Sequence, residues 1–264
     1  MILHIPHASR QIPTDVRRTF RLTGGELDCE LLRMTDAWTE ELFIPAAGSG
    51  CEAVVFPVSR LVVDPERFED DAKEPMAQHG MGAVYMKTSG GLQLREALSD
   101  GGREALLEQY YRPHHRALEQ AVDRELAGQG RALILDCHSF PSIPLPYEPD
   151  ETRHRPEICI GTDAYHTPKE LRETTVRLFE GMGFEVALDT PFAGSIVPQR
   201  WYKSDPMVCS IMIEVRRDLY MDERNGERLP GFDAFRGQLQ ELIGALAGQR
   251  RSWNRAMNRG EALQ

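Results

Sequence analysis

The sequence predicts an α/β fold with a mixed, mostly parallel central sheet and helices on both faces. Short apolar runs alternate with longer stretches of helical spacing along the whole chain, the pattern left by strands and helices that follow one another. One run, Arg131 to Asp136, is almost continuously apolar, as in parallel strands covered on both sides.

Taken in order, Met1 to Ile5 reads as a strand that ends at Pro6-His7-Ala8-Ser9. Glu26 to Phe43 carries Leu27, Leu31, Met34, Trp38 and Leu42 at helical spacing, which predicts one helix with Asp36 on it. Ala53 to Val58 reads as a strand, and Arg60-Leu61-Val62-Val63-Asp64 either extends it or begins another. Arg103 to Leu126 is helical, with a kink at Pro113 unless a new helix begins there. Ile158 to Gly161, Phe184 to Leu188 and Val208 to Val215 are further strands. Pro168 to Met182 is a helix with proline in its first turn and Gly183 past its end, and Asp233 to Gly248 is the last helix. No internal repeat or linker divides the chain, so residues 1–250 read as one domain and 251–264 as a polar, frayed tail.

The 264 residues carry a formal charge of -10, with 41% hydrophobic and 27% charged residues. That is an ordinary globular composition, and its acidity argues against nucleic acid as a partner. No apolar run approaches the ~20 residues needed to span a bilayer. Cys29, Cys51, Cys137, Cys159 and Cys209 are scattered without a C-x-x-C pair, and the N-terminus has no secretory pattern. Reduced thiols in the cytoplasm are the expectation.

Ligands of open α/β sheets gather beyond the carboxyl ends of the strands, and here those positions are polar. His7 follows the first strand, Asp136 and His138-Ser139 follow Leu133-Ile134-Leu135, and Glu214 follows Ile211-Met212-Ile213. Asp36 can supply a carboxylate to the same edge. Two imidazoles and a carboxylate form the open ligand set of a catalytic zinc, and Glu214 would be the general base. The far-apart spacing carries little of this signal by itself. His4, His79, His114, His115, His154 and His166 read as ordinary structural histidines, and Glu69-Asp70-Asp71 as a solvated face or lid loop.

Five motifs resemble the N-formylglutamate amidohydrolase family in the order expected of it. They are Ile5-Pro6-His7-Ala8-Ser9, Thr35-Asp36-Ala37-Trp38, Ser59 to Arg67, Asp136-Cys137-His138-Ser139-Phe140, and Glu214 to Asp222. The resemblance implies a phosphorylase/hydrolase-like fold related to zinc carboxypeptidases. It also implies Zn2+ or another divalent metal on His7, Asp36 and His138, with Glu214 as base. The implied substrate is a small, carboxylate-bearing N-acyl amino acid such as N-formylglutamate. Arg67 keeps its place in the motif that resembles the carboxylate-gripping Asn-Arg pair, but Glu66 stands where the amide is usual. Pro191 to Pro198, with Gly194 and Ser195, looks like the glycine-rich substrate loop; Pro198 stands near a usual arginine, with Arg200 just beyond. Arg60 and Arg217 are further candidates for the substrate carboxylate, or they form ion pairs with Asp64 and Asp218. Two other readings stay open: a peptide or peptidoglycan amidase, and a non-catalytic module that binds an acidic ligand.

Overall fold

The computed structural model describes residues 1–45, 50–148 and 154–249; the predicted tail at 251–264 lies outside them. Six strands form one sheet in the order β2-β1-β3-β6-β4-β5: β1 (Ile2–Ile5), β2 (Glu52–Val55), β3 (Ala132–Phe140), β4 (Ile158–Gly161), β5 (Val186–Leu188) and β6 (Val208–Arg216). All neighbouring pairs are parallel except β4 with β6. The sheet is therefore mixed and mostly parallel, as the sequence predicts, and β1, β3 and β6 are adjacent with their carboxyl ends on one edge.

Alternation along the strands divides the packing. Met1, Leu3 and Ile5 face the same core as Leu133, Leu135, Cys137, Ile211, Ile213 and Val215. That core is closed by α3 (Thr39–Phe43), α6 (Lys169–Gly181) and α7 (Phe232–Gln249). The other face begins with Ile2, Ile134 and Val208, which pack on Leu118, Ala121 and Val122 of α5 (Arg112–Gln129). Further along, the same face becomes polar. His4 is in register with Asp136, and His138 with Glu214. Helices thus cover both faces.

A second core lies beside the sheet. It joins Val16 of α1 (Thr14–Arg17), Leu27, Leu31 and Met34 of α2 (Gly24–Met34), Leu106 of α4 (Asp100–Leu106), and the segment from Phe56 to Leu94. Leu61, Val62 and Val63 are buried there, but they form a turn and not the strand that their apolar character suggests. Val62 N–H donates to Ser59 O at 2.8 Å, and buried Arg95 donates to the carbonyl oxygens of Leu61 and Val62. A local turn and a buried guanidinium take the groups that a sheet ladder would have used.

The predicted helix from Glu26 to Phe43 is two helices. Helix α2 begins with a capping box between Thr23 and Glu26 and stops at Met34. Asp36 N–H donates to His7 O at 3.0 Å instead of continuing the helix. Trp38 then takes φ 68°, the left-handed conformation, and α3 follows. Asp36 is therefore in the break and not on a helix face. The predicted Arg103–Leu126 helix is likewise divided: a π-helical turn at Leu107–Tyr111 precedes α5, which has Pro113 in its first turn, where no N–H is missed.

Candidate active site

The carboxyl ends of β1, β3 and β6 deliver His7, His138 and Glu214 to the edge that the break at Asp36 approaches. His7, Asp36 and His138 are buried, and their donor atoms lie within 4.8 Å of one another. His138 Nδ1 is 3.2 Å and His7 Nδ1 3.6 Å from the same oxygen, Asp36 Oδ2. Both rings are anchored from behind: His7 Nε2 is 2.9 Å from Asp64 Oδ1, and His138 Nε2 is 3.0 Å from Asp136 Oδ1. Carboxylates only accept, so an imidazole nitrogen that bonds one carries hydrogen; with both Nε2 atoms held in this way, the Nδ1 atoms are the ones that can exchange hydrogen facing Asp36 for a cation. His7 Nδ1 is buried without a hydrogen-bond partner.

The outer groups are nearly saturated. Asp64 accepts from Arg60 Nη2 at 2.7 Å, Tyr85 Oη at 2.6 Å and the Glu66 N–H at 3.0 Å. Burial opposes its charge, but Arg60 and His7 hold its carboxyl well below the usual range. Asp36 accepts from Arg217 Nη2 at 2.9 Å and the Ser139 N–H at 3.2 Å. Against the cost of burial, His138, His7 and Arg217 keep it ionised. Asp136 Oδ2 accepts the Ile196 N–H at 3.1 Å. Burial disfavours a charged His138, yet Asp136 and Asp36 raise its proton affinity well above the ordinary value. The same field favours any cation at Nδ1.

Glu214 differs from these. Its Oε2 is buried without a hydrogen-bond partner, and burial pushes its carboxyl up to about 8. It lines a cavity of about 390 Å³ with His7, Asp36, Glu66, Arg67, His138 and Arg217. Met34, Met76, Phe140, Leu145, Tyr147 and Phe192 supply apolar wall.

The candidate substrate arginines are not alike. Arg60 is used by Asp64, the ion-pair alternative raised by the sequence. Arg217 pairs with Asp36 and also donates to Arg33 O at 2.6 Å; Asp218 pairs with Arg216 at 2.7 Å, so the alternative of an Arg217–Asp218 bridge is not what forms. Arg200 is an exposed partner of Asp123 at 3.2 Å and is not among the cavity-lining residues. Gly194 and Ser195 also lie outside the lining, though Pro191, Phe192 and Ala193 of the same loop belong to it. A Cβ on Gly161 would collide with the Gly194 carbonyl oxygen, and Ser195 Oγ bonds Ser210 Oγ, so this part of the loop docks on the sheet. Arg67 lines the cavity, with Nε unpartnered and 3.7 Å from Asp64 Oδ2. The ion pairs of Glu66 run to His4 at 3.3 Å and His138 at 3.9 Å, and not to Arg67.

Three groups of this site escaped the sequence reading in their true roles. Asp64 and Asp136 were visible at the motif ends, but which imidazole each would back depends on contacts 57 and 2 residues away. His4 read as structural; its signal was a polar residue at an even position of β1, the parity that places it beside Asp136.

Fold and site together define an α/β protein with a histidine–carboxylate centre at the carboxyl edge of its sheet. The N-formylglutamate amidohydrolase family model matches residues 1–221, and the chain belongs to that family. Among curated proteins, it is 26% identical over 230 residues to an N-formylglutamate deformylase of Pseudomonas putida, covering 84% of this chain and 82% of the relative. It is 24% identical over 255 residues to the N-formylglutamate deformylase of Pseudomonas aeruginosa, covering 93% and 92%. A crystal structure of N-formylglutamate amidohydrolase from Ralstonia eutropha JMP134 superposes with a TM-score of 0.81 at 22% identity, over 95% of this chain and 94% of that one. A protein from Agrobacterium tumefaciens superposes with a TM-score of 0.62 at 20% identity, over 94% and 90%. Among the described residues, no helix is long and apolar enough to cross a membrane.

Proposed function

We propose that the chain hydrolyses the amide of a carboxylate-bearing N-formyl amino acid, N-formylglutamate-like, and holds a divalent cation on His7, Asp36 and His138. One observation carries the metal reading: both imidazoles direct Nδ1 at one Asp36 oxygen while a carboxylate fixes each Nε2. A ligand imidazole backed by a carboxylate is the usual outer arrangement of a zinc site, and two nitrogens plus one oxygen suit zinc.

A cation bound there supplies Lewis-acid polarisation of the amide carbonyl. The remaining work falls to the chain's own groups. Glu214, beside a divalent charge, is held as carboxylate despite its burial; it takes a proton from the attacking water and returns it to the nitrogen as the C–N bond breaks. One C–O bond forms, formate leaves, and the free amino acid carries the proton away. Arg67 takes the substrate carboxylate, and the apolar wall keeps bulk water from the reacting atoms.

The test is a metal analysis paired with an amine-release assay on N-formyl amino acids. About one zinc per chain is expected, with most of it lost in His138→Ala. Unchanged metal content in both His7→Ala and His138→Ala removes the site. Release of amine from no N-formyl amino acid by metal-loaded protein removes the substrate class.

A further inference from the structure

His4 and His114 are fully packed histidines that the proposed reaction does not use. His4 Nδ1 is 2.8 Å from Asp136 Oδ1, and His4 Nε2 is 2.8 Å from Nε2 of His114 on α5. The edge of Phe56 packs on the His114 ring, with centroids 5.0 Å apart. Burial keeps both imidazoles neutral, pushing His4 below its ordinary value and His114 down to about 2.

The hydrogens on this line follow from valence. Asp136 only accepts, so His4 Nδ1 carries hydrogen. A neutral ring then offers Nε2 as a lone pair, and His114 Nε2 must donate to it. Donors therefore run one way, from His114 to His4 to Asp136, where they meet the hydrogen of His138 Nε2 coming from the other side. Glu66 Oε1 is 3.3 Å from His4 Nδ1 but makes no hydrogen bond to it, so Asp136 is the acceptor of that hydrogen. With the line reversed, His4 would turn a lone pair on the Asp136 oxygen, and the hydrogen bond that fixes that carboxylate from behind would be lost.

We propose that His114 and His4 are positioning residues: their one-way donor line fixes the Asp136 carboxylate against His138 Nε2, so that the ring presents Nδ1 to the cation. The inference rests on the metal reading of His7, Asp36 and His138. It assigns a reason to a polar residue in an otherwise apolar strand, and to a histidine 110 residues away placed against it. Outer partners of ligand imidazoles commonly change metal affinity 10–100-fold; a group one bond further back belongs at the lower end of that range.

Two measurements on the full chain test it. In 15N-histidine-labelled, metal-free protein, long-range 1H–15N correlations read the tautomers directly, and His4 is expected as Nδ1–H and His114 as Nε2–H. Zinc affinity, measured by chelator competition, is expected to fall roughly 10-fold in His114→Leu and to stay within about threefold in His114→Gln, whose amide N–H replaces the lost donor. Equal losses in the two variants make His114 a packing residue and overturn the proposal. So does an unaltered affinity in His114→Leu, or a wild-type His4 found as Nε2–H. Should wild-type protein bind no zinc, the metal reading fails by itself, and the His4 tautomer alone decides between the donor line and its reverse.

Discussion

Ile213 and Glu214 are neighbours on β6, yet they belong to different parts of the molecule's physics. Ile213 is fully buried in register with Cys137 and Ile160, inside the core closed by α3, α6 and α7. Glu214 is in register with His138 and Cys159 and faces the cavity on the opposite side of the sheet. Period-two alternation lets one strand serve both ends: odd positions hold the sheet to its helices, and even positions near the carboxyl end carry ionisable groups. The two faces should therefore fail differently. A change on one should remove chemistry without stability, and on the other stability without chemistry.

Glu214→Gln is the strongest way to break that comparison. Turnover is expected to fall by roughly 10²–10⁴-fold, the usual scale for loss of a general base, while metal content and thermal midpoint hold or rise. The stability side of this rests on the buried, unpartnered Oε2, because a carboxylate in that state costs free energy that an amide does not. A large drop in melting temperature would place Glu214 among the structural groups, and loss of metal would make it a ligand.

Ile213→Ala probes the other face, next in size. Truncating a fully buried isoleucine typically costs about 2–5 kcal/mol, read from urea unfolding. The surviving folded fraction should keep kcat and KM, because the side chain points away from the cavity. A change in kcat per folded molecule would show that the two faces are coupled through the strand, and the division drawn above would be wrong.

What was legible in the sequence follows the same division. The strands β1, β3, β4 and β6 stood out because apolar runs bounded by polar residues are a local signal, and His7, His138 and Glu214 were readable as their continuations. Less legible were features decided by distant partners. The helix break at Asp36 depends on an N–H taken by His7 O. The turn at Leu61–Asp64 depends on Arg95, more than thirty residues later. Arg217 read as a candidate for the substrate carboxylate or as a partner of neighbouring Asp218, whereas the fold gives it Asp36, 181 residues away. Periodicity reports which side of an element is buried; it carries no information on which charge the buried side will meet.

Arg67 offers the finest test, because it separates two cations that flank one buried carboxylate. Arg60 and Arg67 both face Asp64, but Arg60 donates to it from two nitrogens, at 3.1 and 2.7 Å. Both line the cavity, but Arg67 stands off at 3.7 Å with an unpartnered Nε and is 22% exposed in its side chain against 12% for Arg60. A guanidinium with an unpartnered N–H beside a cavity is more available to a ligand than one that already gives two hydrogen bonds to a buried carboxylate. Arg67→Lys keeps the charge and loses the planar fork. The expected loss is about 1.5–3 kcal/mol, or roughly 10–100-fold in kcat/KM for an acidic N-formyl amino acid. It should appear mostly in KM, since a carboxylate remote from the reacting bond is gripped equally in ground and transition states. Steady-state kinetics on N-formylglutamate beside an uncharged N-formyl amide check this: the variant should lose discrimination between the two. If both substrates are affected alike, Arg67 supports Asp64 and the substrate carboxylate is held by another group.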